Sequence, residues 1–103
     1  MQSIGMLYGD LILKYAETYS DIYVIEADLM RAHNTMQFFQ KYPDRFLNVG
    51  VAEANMAGIA AGLAVLGKRP FIHSFTPFVG RRIFDQIYVS IAYAQLAVKI
   101  IGL

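Results

Sequence analysis

The sequence predicts an α/β fold, a parallel β-sheet with helices on both faces in three layers. Three observations carry that expectation. Short apolar runs alternate along the chain with segments of helical periodicity, the order that builds a parallel sheet through right-handed crossovers. The strand runs are continuously apolar rather than alternating, as in strands buried on both faces. The stretch Val49-Gly50-Val51-Ala52-Glu53-Ala54-Asn55-Met56 then leads from an apolar run through a glycine into an Ala/Gly-rich helix with a carboxylate in its first turn.

Each element follows from its residues. Ile4, Leu7, Tyr8, Leu11, Ile12 and Tyr15 recur at helical spacing with Asp10, Lys14 and Glu17 on the other side, so residues 3–19 read as an amphipathic helix. Asp10 and Lys14 stand one turn apart, close enough to pair. Ser20-Asp21 ends that helix, and Ile22–Ile25 is a β-favouring run with Asp28 just past its carboxyl end. Thr35–Tyr42 is a short helix stopped before Pro43. Phe46–Val49 reads as a short buried strand, and Ala52–Leu66 as a helix ended by Gly67, on which Gly58, Ala61, Gly62 and Val65 share a face that lets another backbone come close. Pro70–Ser74 is a third strand. A continuous helix is expected from Pro77 to Gln95, where proline suits the first turn. On it Arg82, Gln86 and Ser90 form a narrow polar stripe, while Ile83, Phe84, Ile87, Tyr88, Ile91 and Tyr93 surround most of the axis; such a helix must be buried, in the core or against another chain. Val98–Ile101 is a fourth strand, and no internal repeat or linker is visible.

Composition bounds the function. The 103 residues suit a single domain, and 56% hydrophobic with only 17% charged residues leaves more apolar surface than one small sheet covers, so a partner is expected. A net charge of +1, with basic and acidic residues interspersed, excludes a nucleic-acid surface. The absence of cysteine removes any disulfide framework or thiolate metal site and fits a reducing, cytoplasmic setting. Met1–Gly5 lacks a signal-peptide pattern, and the longest uncharged apolar run, Ala57–Leu66, is about half a bilayer span, so no membrane association is expected. No HxxxH, HExxH or carboxylate cluster suggests a metal site.

A long ordered block, Asp44-Arg45-Phe46-Leu47-Asn48-Val49-Gly50-Val51-Ala52-Glu53-Ala54-Asn55-Met56 followed by Gly58-Ile59-Ala60-Ala61-Gly62-Leu63-Ala64, resembles the pyrimidine-binding domain of transketolase-like thiamine diphosphate enzymes. The resemblance extends to Glu26-Ala27-Asp28-Leu29, Phe75-Thr76-Pro77-Phe78 and Asp85-Gln86-Ile87, essentially the whole chain. It implies that Glu53 hydrogen-bonds the pyrimidine ring of thiamine diphosphate as the catalytic carboxylate, that Phe75 and Phe78 wall the ring, and that Asp28 lies near the cofactor and a subunit interface. It implies too that the diphosphate and Mg²⁺ are held by a partner domain or subunit, since Tyr8-Gly9-Asp10-Leu11 sits inside a helix and is no phosphate loop. Residues 1–103 then read as a fragment, a truncated pyrimidine-binding domain whose diphosphate-binding and C-terminal domains are absent.

The chemistry suits those residue types. The thiazolium C2 becomes a nucleophile on losing a proton to the cofactor's own aminopyrimidine, and a carboxyl group against the far ring nitrogen stabilises the tautomer that accepts it. The plainer readings stand beside this: Glu53 as a complement to the helix dipole, Phe75 and Phe78 as core aromatics, Asp28 as a solvated loop acid or helix cap, His33 and His73 as surface or satisfied core residues. The resembling enzymes often carry Gln where Ala54 stands, a small hydroxyl residue near Ala32 and an arginine near Gly5, the last two for binding substrate phosphate, and this sequence departs from all three. The expected function is the pyrimidine-binding half of a transketolase moving a two-carbon ketol unit between sugar phosphates, inactive alone and forming a homodimer. The alternatives are a fragment of 1-deoxy-D-xylulose-5-phosphate synthase and a non-catalytic dimerisation module of the same fold.

Overall fold

The computed structural model describes residues 1–103. Four parallel strands, β1 (Ile22–Glu26), β2 (Phe46–Asn48), β3 (Arg69–Ser74) and β4 (Lys99–Gly102), form one sheet in the order β2-β1-β3-β4. Helices α1 (Ile4–Thr18) and α2 (Met36–Lys41) cover one face, where Ile12, Ala16, Ile22, Val24 and Phe38 are buried together. Helix α3 (Glu53–Val65) and the helical segment 78–92 cover the other, where Ile25, Met56, Ala57, Ala60, Ile72, Val79, Ile83 and Ile91 meet. The three-layer expectation holds, and period-two alternation along β1 and β3 supplies both cores.

Local chemistry fixes the ends of these elements. The Ser3 hydroxyl accepts the Met6 N–H and caps α1. At its other end Arg45 is nine-tenths buried and donates to the Ala16 and Tyr19 carbonyls at 3.1 Å each, satisfying the last turn while its guanidinium stacks 3.9 Å from the Tyr42 ring centroid.

Several expectations change. The buried stripe of α1 is Gly9, Ile12 and Ala16, whereas Ile4, Leu7, Leu11 and Tyr15 are exposed. Small residues mark where this helix comes closest to its neighbours: a Cβ on Gly9 would lie 2.1 Å from the Asn34 carbonyl oxygen. Asp10 does not pair with Lys14 but accepts from Gln2 at 2.7 Å and Asn34 at 3.0 Å, which lie nearer. Strand β2 is an edge strand with Leu47 and Asn48 exposed, because only β1 flanks it. On α3 the residues buried are Glu53, Met56, Ala57, Ala60 and Ala61, while Gly58 and Gly62 look into open space, so within this chain no second backbone uses them.

The segment expected as one helix from Pro77 to Gln95 is broken. Two wide π-helical stretches, Phe78–Arg82 and Ile87–Ala92, flank a single α turn, Phe84–Gln86, with Ile83 leaving helical geometry at φ −111° and ψ 27°. Nor is it buried all round. Ile83 and Ile91 point into the core, but Phe84, Tyr88, Val89 and Tyr93 are more than half exposed. No helix of the chain is long and apolar enough to cross a membrane.

Candidate functional site

The residues singled out from sequence stand past the carboxyl ends of three neighbouring strands, where open parallel sheets place ligands. Glu53 follows β2 as the first residue of α3. The turn before it needs Gly50 at φ +75°, where the backbone N–H is accepted by the Asn48 side-chain oxygen at 2.9 Å. The helix start has no capping side chain at Ala52, so its free N–H groups leave a positive end beside the Glu53 carboxylate.

Glu53 is 4% exposed, and burying a carboxylate requires partners. Its Oε1 forms an ion pair with the Arg82 guanidinium at 2.8 Å and accepts from the Ser74 hydroxyl at 3.4 Å. The Arg82 guanidinium also lies 4.1 Å from the Phe78 ring centroid. One planar cation thus spans Glu53 and Phe78. Phe75, exposed past β3, meets Phe78 edge to face at 6.2 Å. A cleft of about 350 Å³ lies beside this group, lined by Val51, Ala52, Glu53, Ala54, Arg82, Ile83 and Gln86.

Asp28 stands apart from that group. It adopts φ +62° in the loop after β1 and is exposed. Its N–H donates to the Asn48 side-chain oxygen at 2.9 Å, and the Asn48 amide donates back to its carboxylate at 3.3 Å. It therefore caps no helix; it braces the end of β1 against the turn that delivers Glu53, reaching the site through Asn48 and Gly50.

On the opposite sheet face lies a polar cluster that sequence reading did not assemble. Glu26, fully buried at the end of β1, accepts the Leu29 N–H at 2.8 Å and the Thr35 hydroxyl at 2.7 Å, and stands 3.7 Å from His73 Nε2. His73 Nδ1 is 3.0 Å from the Tyr8 hydroxyl. His33 packs edge-on against His73 at 4.8 Å and against Phe75 at 5.5 Å. Neither histidine is on the surface, and both ring nitrogens of His33 lack a hydrogen-bond partner, so it is not a satisfied core residue either. Burial first, then His73, holds the His33 pKa down at about 4 against the opposing pull of Glu26. Burial, helped by the Glu26 carboxylate, pushes the Tyr8 hydroxyl well above the usual phenol range.

Arg82 and Ser74 were missed as partners of Glu53. The four-residue spacing from Phe78 to Arg82 signals only that those two side chains can meet, and no spacing pairs Arg82 or Ser74 with Glu53. Gly5 and Ala32, the two departures, touch one another: a Cβ on Gly5 would lie 2.6 Å from the Ala32 carbonyl oxygen. A second cleft, of about 550 Å³, is lined by Asp28, Leu29, Met30, Arg31, Ala32 and Met36 in the same loop.

The chain is thus a parallel three-layer α/β domain with a buried helix-start carboxylate and paired phenylalanines at the carboxyl edge of its sheet. The family described as transketolase, pyrimidine binding domain, matches residues 1–103, and the chain belongs to it. It is 54% identical over 95 residues to a 6-deoxy-6-sulfo-D-fructose transketolase subunit of Clostridium sp. (strain MSTE9), a match covering 92% of this chain and 30% of that protein. It is 35% identical over 94 residues to a 1-deoxy-D-xylulose-5-phosphate synthase of Mycobacterium ulcerans, covering 91% of this chain and 15% of the synthase. Among solved structures it is similar to one titled as a split gene transketolase, inactive beta4 tetramer, with TM-score 0.83 and 40% identity over 92% of this chain and 32% of that one. The chain thus spans less than a third of the length of these relatives.

Proposed function

We propose that residues 1–103 are the pyrimidine-binding domain of a thiamine diphosphate-dependent transketolase, working only with a partner domain or subunit that holds the cofactor's diphosphate and Mg²⁺. The carrying observation is Glu53: a carboxylate almost wholly buried at a helix start, joined through one planar group to an aromatic ring. The site fits an aminopyrimidine on that ground, because a guanidinium is itself flat, hydrogen-bonding and about half a ring in size, and it already spans Glu53 and Phe78.

When bound, the cofactor supplies a thiazolium carbon that becomes a nucleophile toward a ketose carbonyl. Glu53 would hold a proton at the pyrimidine nitrogen facing it, Phe78 would take the ring face, and Phe75 would close the wall toward His33 and exclude water. Asp28 would serve indirectly, by fixing the Asn48–Gly50 turn. A homodimer would cover the exposed apolar side chains of segment 78–92 and the outer face of α1.

The proposed reaction moves a two-carbon ketol unit from a ketose to an aldose, both carrying a terminal oxyanion. The most similar of the relatives above is named for a sulfonated sugar. With Gly5 and Ala32 in place of two expected phosphate ligands, a sulfonate terminus becomes as good a candidate as a phosphate. The test is to produce the chain with a diphosphate-binding partner and assay ketol transfer from ketose phosphate and ketose sulfonate donors, with pyruvate as the third donor. Ketol transfer supports the proposal. Transfer of the two-carbon unit of pyruvate to an aldose phosphate with release of carbon dioxide, and no ketol transfer, would select the deoxyxylulose phosphate synthase reaction, and no turnover with no cofactor binding would leave a dimerisation module.

A further inference from the structure

Arg82 makes the two contacts that the proposed ring needs. Its guanidinium holds Glu53 Oε1 at 2.8 Å and lies over Phe78 at 4.1 Å, so an acceptor oxygen and an aromatic face are both taken by one side chain. The grip is asymmetric. Glu53 is 4% exposed, whereas the Arg82 side chain is 52% exposed and lines the cleft. Arg82 also ends the first π-helical stretch, immediately before Ile83, whose φ −111° and ψ 27° interrupt the helical path for one residue before the Phe84–Gln86 turn.

We propose that Arg82 is a stand-in for the cofactor ring: it neutralises the buried Glu53 and covers Phe78 while the site is empty, and it is displaced when the aminopyrimidine arrives. This rests on the cofactor reading above. Without Arg82 an empty site would leave a buried carboxylate uncompensated, which is costly. With Arg82 still bound, Glu53 Oε1 and the face of Phe78 are both occupied, and an incoming ring can reach neither. A half-exposed arginine can move into water at little cost, whereas Glu53 cannot. The exchange therefore replaces one flat hydrogen-bonding group by another, and Arg82 competes with the cofactor instead of assisting it.

The experiment is a titration of thiamine diphosphate, with Mg²⁺ in excess, into the chain complexed with its diphosphate-binding partner, reading the dissociation constant and the association rate for wild type, Arg82→Met and Arg82→Gln. Loss of a half-exposed ion pair and a surface cation–π contact predicts roughly threefold to tenfold tighter and faster binding in both variants. In a Glu53→Gln background the gain from Arg82→Met should shrink to under about twofold, because the two side chains no longer act on each other. Unchanged or weaker binding in both Arg82 variants, with melting temperatures near wild type, overturns the stand-in role and leaves the cofactor reading intact. Absence of saturable binding by wild type and variants alike overturns the cofactor reading itself.

Discussion

Replacing Glu53 by Gln separates the catalytic role proposed for this carboxylate from a purely structural one. The substitution keeps the shape of the side chain and one acceptor oxygen for Arg82, and it removes the acid. The structural cost follows from the partners. The ion pair to a half-exposed arginine is worth about 0.2–1 kcal/mol after solvent screening, and a carboxylate at an uncapped helix start about 0.3–1 kcal/mol. Removing a desolvated charge offsets part of this, so a net loss of about 1 kcal/mol is expected. In a domain of this size that lowers the melting temperature by about 4–8 °C. If Glu53 shares a proton with the cofactor, turnover of the assembled enzyme instead falls by about 10²- to 10⁴-fold, or roughly 3–5 kcal/mol of barrier. Melting of the isolated chain, turnover of the complex and C2 proton exchange of bound cofactor are the three assays. A melting shift of that size with exchange and turnover unchanged would return Glu53 to the helix dipole alone.

Four further outcomes are expected. The isolated chain should self-associate at micromolar concentration, because Ile4, Phe84, Tyr88, Val89 and Tyr93 are all more than half exposed; a stable monomer in sedimentation would count against it. The same isolated chain should bind thiamine diphosphate weakly or not at all, and tight Mg²⁺-dependent binding in a calorimetric titration would reveal a phosphate site within residues 1–103. Gly9→Ala should destabilise by about 2 kcal/mol, since a methyl group 2.1 Å from the Asn34 carbonyl oxygen forces backbone apart and outweighs the helix gain, whereas Gly62→Ala, facing open space, should stabilise by about 1 kcal/mol; equal melting shifts would refute the packing described. Acidification should destabilise the fold between pH 6.5 and about 4. In that window unfolded His33 binds a proton, while in the native chain burial and His73 oppose it and Glu26 only partly favours it, with Tyr8 beyond His73 adding no charge, so stability present above pH 6.5 is lost on the way down. His33→Leu should flatten that slope, and an unaltered slope would show that other groups set it.

The sheet, its helix layers and the strand-end positions of Glu53, Phe75 and Asp28 were legible because each depends on local patterns: apolar runs, a glycine turn, the start of a helical repeat. The exposed faces of α1 and of segment 78–92 were not. Periodicity ranks residues by apolar size, whereas the buried stripe of α1 was chosen by closeness of approach, so Gly9 and Ala16 won over Leu7 and Leu11. The break at Ile83 has no marker such as proline or glycine, and the exposed edge of β2 follows from strand order, which sequence spacing does not encode. The carboxylate of the candidate site was visible; its partner Arg82 was concealed in a polar stripe, because the pairing depends on how two distant elements face each other. The Tyr8–His73–Glu26 cluster joins three elements and escaped for the same reason.

The contact between Gly5 and Ala32 ties two positions, 27 residues apart in the chain, into one inheritance. Helix α1 can lie where it does only while position 5 carries no side chain, and the loop after β1 passes there only while the helix leaves it room. Side chains larger than those of Gly5 and Ala32 are therefore not two separate changes that point mutation could install in turn. Installing an arginine at position 5 would drive loop and helix apart. Altering this rim would mean transplanting the first helix and the Asp28–Asn34 loop as a matched pair, and natural relatives should be found to have exchanged them together.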